Sequence, residues 1–413
     1  MEVIAFDEAW ARLERHLPVQ STAPISSWAY THPRWLAEDV AAAVDLPPFS
    51  RSMMDGYAIH AEDLAARTPL HVVADVRAGD EAPGATLAPG QAVRVRTGAP
   101  VPPGTAAVAR EEWVEAEDGA IRLLRPVPAG ESVQPQGDDA RRGDVIARAG
   151  QVLDGQTQAV LRAAGVHECK CLGPLTAAIL STGSELVTSP RAEGCLAPGQ
   201  VFAATDAFLQ SALGQLGVPV VAVEHAADDP AAITDAAQRL ATRANLLLLT
   251  GGASVGDADY AREALDAIAG GEVLFERVFM RPGAPFLARP TPHGFAFGLS
   301  GNPAAAYVQF HALVVPFVLR WLGAKEARPF PLTALVEGEV RAKPVKHTRV
   351  LRGHLHLRGA TLVFRAEDRQ SSGSLTGLVS TNAIARMDGD RLADGQAVSV
   401  AWTRGWLPSL GLV

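Results

Sequence analysis

Three cysteines in 413 residues, Cys169, Cys171 and Cys195, leave one thiol over however they are paired. That excludes a disulfide framework and fits a reducing cytosol. Cys169-Lys-Cys171 has the spacing of half a metal site, but no second Cys/His pair at matching distance accompanies it. Basic charge is also in deficit. The net charge of -8 argues against a general nucleic-acid or anionic-membrane binder. It leaves room for a local anion site built from backbone amides. No apolar run approaches the ~20 residues of a membrane span. The first residues, MEVIAFDEAW, lack the basic head and apolar core of a signal peptide. The expectation is a cytoplasmic protein with neither nucleic acid nor membrane as partner. No internal repeat or low-complexity tract appears beyond a general richness in alanine.

What is present is a composition of 48% hydrophobic and 20% charged residues, enough for large cores. The length implies two to four domains. The chain is organised around LLLLTGGASVGDADY, Leu246 to Tyr260. Its apolar run Leu246–Leu249 is the pattern of a strand buried on both faces. Thr250, Gly251 and Gly252 end the strand, and helical spacing resumes from Ala261. Strand, glycine-rich turn and helix aim free N–H groups and a positive helix dipole at an anion. A Walker lysine is missing: Asp257 stands in its place, with Asp259 beside it. Either a divalent cation supplies the positive charge, or the acids merely cap the helix of an ordinary turn.

Residues 1–45 read as N-terminal helices, one over 5–17 and one over 33–44, packing on the linker and α/β regions. Residues 46–150 read as a β-rich arm, opened by a long irregular segment, Asp45–Leu64, of mixed chemistry typical of binding loops. Residues 151–173 form a helical linker. Over 174–327, strands alternate with helices near 206–217, 231–244, 260–269 and 303–322, the pattern of a doubly wound, mostly parallel sheet. Its ligand then lies at the carboxyl ends of the strands. Four loops arrive there: STGSEL (181–186), AADDP (226–230), TGGASVGDADY and LSGNPAAA (299–306), the last with Asn302 as N-cap and Pro303 opening the helix. Two anion-ready loops with Glu185, Asp228, Asp257 and Asp259 favour a metal-assisted phosphate or pyrophosphate site. Residues 328–413 read as short strands of a small β-barrel or sandwich.

In order along the chain, DLPPFSRSMMDGYA, RVRTGAPVPPGTAAV, GDDARRGD, STGSEL, TGGASVGDADY, RPGAP and GLSGNP resemble the molybdopterin molybdenumtransferase family, MoeA of bacteria and the E domain of gephyrin. The resemblance spans roughly residues 33–305. It implies a multidomain fold: a doubly wound molybdopterin-binding α/β domain, a β-rich arm and a C-terminal β-barrel, in an elongated homodimer with an active site shared between subunits. It implies molybdenum cofactor biosynthesis: molybdenum from molybdate enters adenylylated molybdopterin with release of AMP and with Mg2+ bound. Other proteins of that pathway are implied partners.

By the same resemblance Asp55, Thr97, Asp139, Asp259 and Arg281 are catalytic. Thr250, Gly251, Gly252, Ser254, Gly256, Ser300, Gly301 and Asn302 bind the cofactor's phosphate or pterin. Glu185, Asp228 and Asp259 hold metal. The chain departs from the family's usual motifs where these meet the oxyanion. Ser50-Arg51 replace Asp-Asn and Ser184 replaces Asp. GQVFAAT (199–205) stands for GQIYDSN, RPGAP for KPGKP and GLSGNPAA for GLPGNPVS. Two function classes stay open: an enzyme, acting on molybdate or on another oxyanion such as tungstate, and a paralogue that binds molybdopterin or nucleotide without efficient metal insertion.

Overall fold

The computed structural model describes residues 3–28, 34–81, 84–188, 196–252 and 260–404. Ser254, Gly256, Asp257, Asp259 and Cys195 lie outside the described residues. At the centre is a seven-stranded sheet, in the order Val3–Ile4, Phe275–Val278, Pro285–Thr291, Gly294–Leu299, Leu246–Thr250, Ala177–Thr182, Val220–Ala226. The last four of these run parallel. Every residue of Leu246–Thr250 is buried, as a strand covered on both faces requires. One face packs on the helices Phe6–Arg15 and Thr205–Gln215 and on the long helical segment from Pro303 to Leu322. The other packs on Pro230–Ala241 and Tyr260–Ala267. Three layers result, and the sheet is doubly wound.

The segment Pro303–Leu322 is long and apolar enough to cross a membrane, yet 94% of its most apolar window is buried inside the protein. It is therefore a core helix of the expected extent, and the expectation that no apolar stretch approaches the ~20 residues of a span is corrected here. It widens to a π-helical turn over Phe310–Val314, just before Pro316, whose missing N–H cannot continue regular pairing.

The arm holds a six-stranded sheet with Gly56–His60 paired on both sides, by Gln91–Val95 and Thr105–Arg110. That strand was not legible as one, because Gly56 to Ile59 are all buried and show no alternation. Gly56 is required by its neighbour: a Cβ there would sit 2.1 Å from the Ala109 carbonyl oxygen. In the C-terminal region, Thr348–Arg358, Thr361–Ala366, Leu332–Val336, Ala397–Trp402 and Ala383–Met387 pair in a ring that closes on itself. The unit is a barrel rather than a sandwich.

The second N-terminal helix is a correction. Pro33 lies outside the described residues, and residues 34–44 form no helix but two isolated bridges and the short strand Val40–Ala41, separated by bends. Trp35 bridges Val152, Leu36 bridges Cys171, and Val40–Ala41 pairs with Val145–Ala147. The Leu36 and Ala37 amides donate to Gln151 O and Lys170 O, each at 2.8 Å. Apolar residues at helical spacing are satisfied here by two flanking strands, and tertiary pairing overrides local preference. Cys169 and Cys171 point into the same small core, and burial pushes the Cys171 thiol up to about 12. They behave as inert core residues, not as half a metal site.

Candidate functional site

In the parallel part of the sheet, Ala226 pairs with Thr182, Ser181 with Thr250, and Thr250 with Leu299. The four carboxyl ends therefore finish side by side. The chain passes from Ala177–Thr182 outward to Val220–Ala226 and then back to Leu246–Thr250, so the strand order reverses between the first and the third. A crevice opens at such a switch point. A cavity of about 540 Å³ occupies it.

Three loops supply the polar wall of that cavity. Thr182, Gly183 and Glu185 come from the first, Thr250, Gly251 and Gly252 from the second, and Ser300, Gly301 and Asn302 from the third. The glycines are dictated by contact. Gly251 has a φ of +91°, and a Cβ on it would lie 2.5 Å from Thr182 O. A Cβ on Gly301 would lie 3.1 Å from the Gly251 Cα, so the two loops touch backbone to backbone. Asn302 caps the long helix, its Oδ1 accepting from the Ala304 and Ala305 amides at 3.1 and 3.3 Å.

Asp228 also lines the cavity. Its Oδ2 accepts from the Ser184 amide at 2.9 Å, and its own amide donates to Ser184 Oγ at 3.1 Å. Ser184, one of the departures from the motif, thus clasps the neighbouring acid and fixes it at the rim. Thr205 and Asp206 add polar groups from the start of the helix Thr205–Gln215, and an apolar part of the wall comes from Val201 and Phe202, 49% and 46% exposed, and from Leu375, at 40%, in a loop of the C-terminal barrel. A second cavity, about 460 Å³, lies at the amino ends of the strands around Asn245 and Pro290, and none of the nominated residues lines it.

Asp55 and Thr97 meet in the arm, away from the cavity. Asp55 Oδ1 accepts from both the Thr97 amide and Thr97 Oγ1 at 2.8 Å, and Arg96 lies 3.5 Å from Oδ2. The hydrogen bond donated by the Thr97 backbone N–H, then that from its hydroxyl and the Arg96 charge, hold the Asp55 carboxyl below the usual range. Asp139 donates its amide to Leu46 O at 2.9 Å in a separate turn. Arg281 is exposed on a two-residue strand paired with the barrel at Arg349. Within one chain these four do not line the cavity.

Sequence reasoning did not nominate Phe202, Asp206 and Leu375, which line the cavity, nor Gln309, which lies behind it and accepts from the Ser300 amide at 2.8 Å. Gln309 had a legible signal, a polar side chain in the apolar run PAAAYVQFHALVV. Leu375 had none, because only the docking of the barrel brings it here.

Among the described residues no group of three or more His, Cys, Asp and Glu could hold a metal ion. Glu185 and Asp228 are two carboxylates on one cavity. One or two carboxylates completed by water and substrate phosphates is the usual setting of Mg2+. The pair fits that ion without forming a protein-only cage.

Two family models match the chain, the MoeA N-terminal region (domain I and II) over residues 4–165 and the probable molybdopterin binding domain over residues 178–320. The molybdopterin molybdenumtransferase of Synechococcus elongatus is 34% identical over 380 residues, covering 90% of this chain and 92% of that one. The chain belongs to the molybdopterin molybdenumtransferase family. The Haemophilus influenzae molybdopterin molybdenumtransferase is 28% identical, with 96% and 98% covered. A solved molybdopterin biosynthesis MoeA protein from Pyrococcus horikosii superposes with a TM-score of 0.81 at 26% identity, over 98% of this chain and all of that one. The chain is accordingly a molybdenumtransferase of molybdenum cofactor biosynthesis, with molybdopterin as its substrate. Every residue lining the switch-point cavity except Leu375 lies within the part matched as molybdopterin-binding.

Proposed function

We propose that the protein takes adenylylated molybdopterin and molybdate into the switch-point cavity, inserts molybdenum into the dithiolene and releases AMP. The observation that carries this is the meeting of two glycine-containing loops, 250–252 and 299–302, with an apolar wall across one cavity. Phosphate oxygens suit the loop amides and the helix start at Asn302, where Thr250, Gly251, Gly252, Ser300 and Gly301 bind. Ser254 and Gly256 continue the first loop in sequence and are assigned to the same cradle. The flat pterin suits Phe202 and Leu375. Glu185 and Asp228, with Asp259, hold Mg2+, which when bound neutralises the pyrophosphate. The carboxylates thereby become an asset instead of a repulsion.

The homodimer belongs to this reading. Asp55 is preorganised as an anion by Thr97 and Arg96 yet stands apart from its own chain's cavity. In a dimer it serves the partner's, together with Thr97 and Asp139. The cytoplasm and other cofactor-biosynthesis proteins are the expected setting.

One observation favours the alternative of a protein that binds molybdopterin but inserts metal poorly. The turn RPGAP carries a single cation, Arg281, with Ala284 where the family's motif has lysine. Purified protein given adenylylated molybdopterin and Mg2+ should release AMP only when molybdate is added. Tight ligand binding with no molybdate-dependent AMP supports the alternative, and AMP release with tungstate alone changes the oxyanion.

A further inference from the structure

Gln309 is fully buried in the helix behind the cavity, and its amide is used at both ends. Nε2 donates to Gly283 O at 2.9 Å and to Pro285 O at 2.6 Å, while Oε1 accepts from the Ser300 amide at 2.8 Å. The first two partners belong to the RPGAP turn and the third to the LSGNP loop. Pro285 and Ser300 line the cavity, whereas Gln309 does not. The turn joins Met280–Arg281, paired with the barrel, to Pro285–Thr291 of the central sheet, so it spans two separately built units. Gly283, at φ +94°, lets it approach: a Cβ there would lie 2.7 Å from Gln309 Cγ.

We propose that Gln309 is a positioning residue that locks the RPGAP turn to the LSGNP loop, making the two a single rigid rim for the tetrahedral oxyanion. The inference rests on the reading of the cavity given above. Two donors and an acceptor on one short planar head satisfy two carbonyls and an amide that are all held in protein. Methionine has the length but neither donor nor strong acceptor. Ionised glutamate still accepts from Ser300 but sets a negative charge against two carbonyl oxygens. Protonated glutamate can donate to one of them while accepting from Ser300. In this way a group outside the cavity fixes the walls inside it.

The test compares wild type, Gln309→Met and Gln309→Glu in molybdate titrations and in molybdate-dependent AMP release from pH 5 to 8, with thermal unfolding alongside. Gln309→Met should weaken molybdate binding at least tenfold, with KM for molybdate rising more than kcat falls. Gln309→Glu should bind weakly at pH 8 and recover as pH falls, relative to wild type at each pH. A role confined to stability would lower the melting temperature and leave the KM and its pH profile unmoved. Should Gln309→Met not fold, the pH-dependent recovery of Gln309→Glu decides alone. Wild-type binding with both variants unchanged, or a loss in Gln309→Glu independent of pH, overturns the inference only. Wild type that binds neither molybdate nor adenylylated molybdopterin overturns the reading of the cavity and the inference with it.

Discussion

His311 sits two residues beyond Gln309 in the π-helical turn, buried among Phe208, Tyr307 and Phe310 at ring separations of 5.7, 4.6 and 5.3 Å. Its Nε2 is buried without a hydrogen-bond partner. Burial holds its pKa down to about 3, against 6.5 in a free imidazole. Below 6.5 the opened state takes up a proton that the folded state refuses. The stabilisation is therefore fully present above about pH 6.5 and is lost progressively as pH falls towards 3. At pH 5 the loss spans roughly 1.5 units at about 1.36 kcal/mol each, ~2 kcal/mol in all. His311→Leu removes the titrating ring, fills a similar volume and abolishes an unpaired nitrogen. A multidomain chain seldom unfolds in one step, so the suitable assay is native-state hydrogen exchange across Pro303–Leu322, corrected for intrinsic rates. Between pH 7 and pH 5 the opening free energy of this helix should fall by about 2 kcal/mol more in wild type than in His311→Leu. Parallel pH dependence in the two proteins would refute the argument, since the difference isolates this one ring from every carboxylate that also titrates.

If the active site is shared, Asp55→Ala subunits mixed with Asp228→Ala subunits should regain activity, because each heterodimer then carries one intact site. Heterodimers shown to form without activity would sink that arrangement. Calorimetry of adenylylated molybdopterin with and without Mg2+ should show strong metal dependence through Glu185 and Asp228, and equal affinity in excess chelator would show that they do not act through a cation. A charge about 4 Å from an oxyanion is worth ~4 kcal/mol at an effective dielectric near 20, and even half of this exceeds tenfold in affinity. Ala284→Lys should therefore tighten molybdate binding by at least that factor. Arg51→Ala should weaken it if the Arg51 side chain, now donating to Gln134 Oε1 at 2.9 Å, serves the partner's site.

The chain itself determined the strand Leu246–Thr250 and the helix start at Asn302-Pro303. An unbroken leucine run admits burial on both faces, and an Asn-Pro pair has few other uses. The alternation that built a doubly wound sheet is equally local, and with it came the rule that the ligand lies at the carboxyl ends. Tertiary structure decided the rest. Residues 34–44 carry helical spacing yet form bridges and the short strand Val40–Ala41, because neighbouring segments offered backbone partners. Gly56–His60 shows no strand alternation because both of its faces are covered. Ser184 looks like a lost acid in sequence, and only the fold puts it against Asp228. Leu375 reaches the cavity from the barrel and Gln309 backs its wall from a helix interior, so no spacing relates them to the glycine loops. Local pattern fixes which backbone groups are satisfied within an element; which side chains meet across elements is fixed only when the layers close.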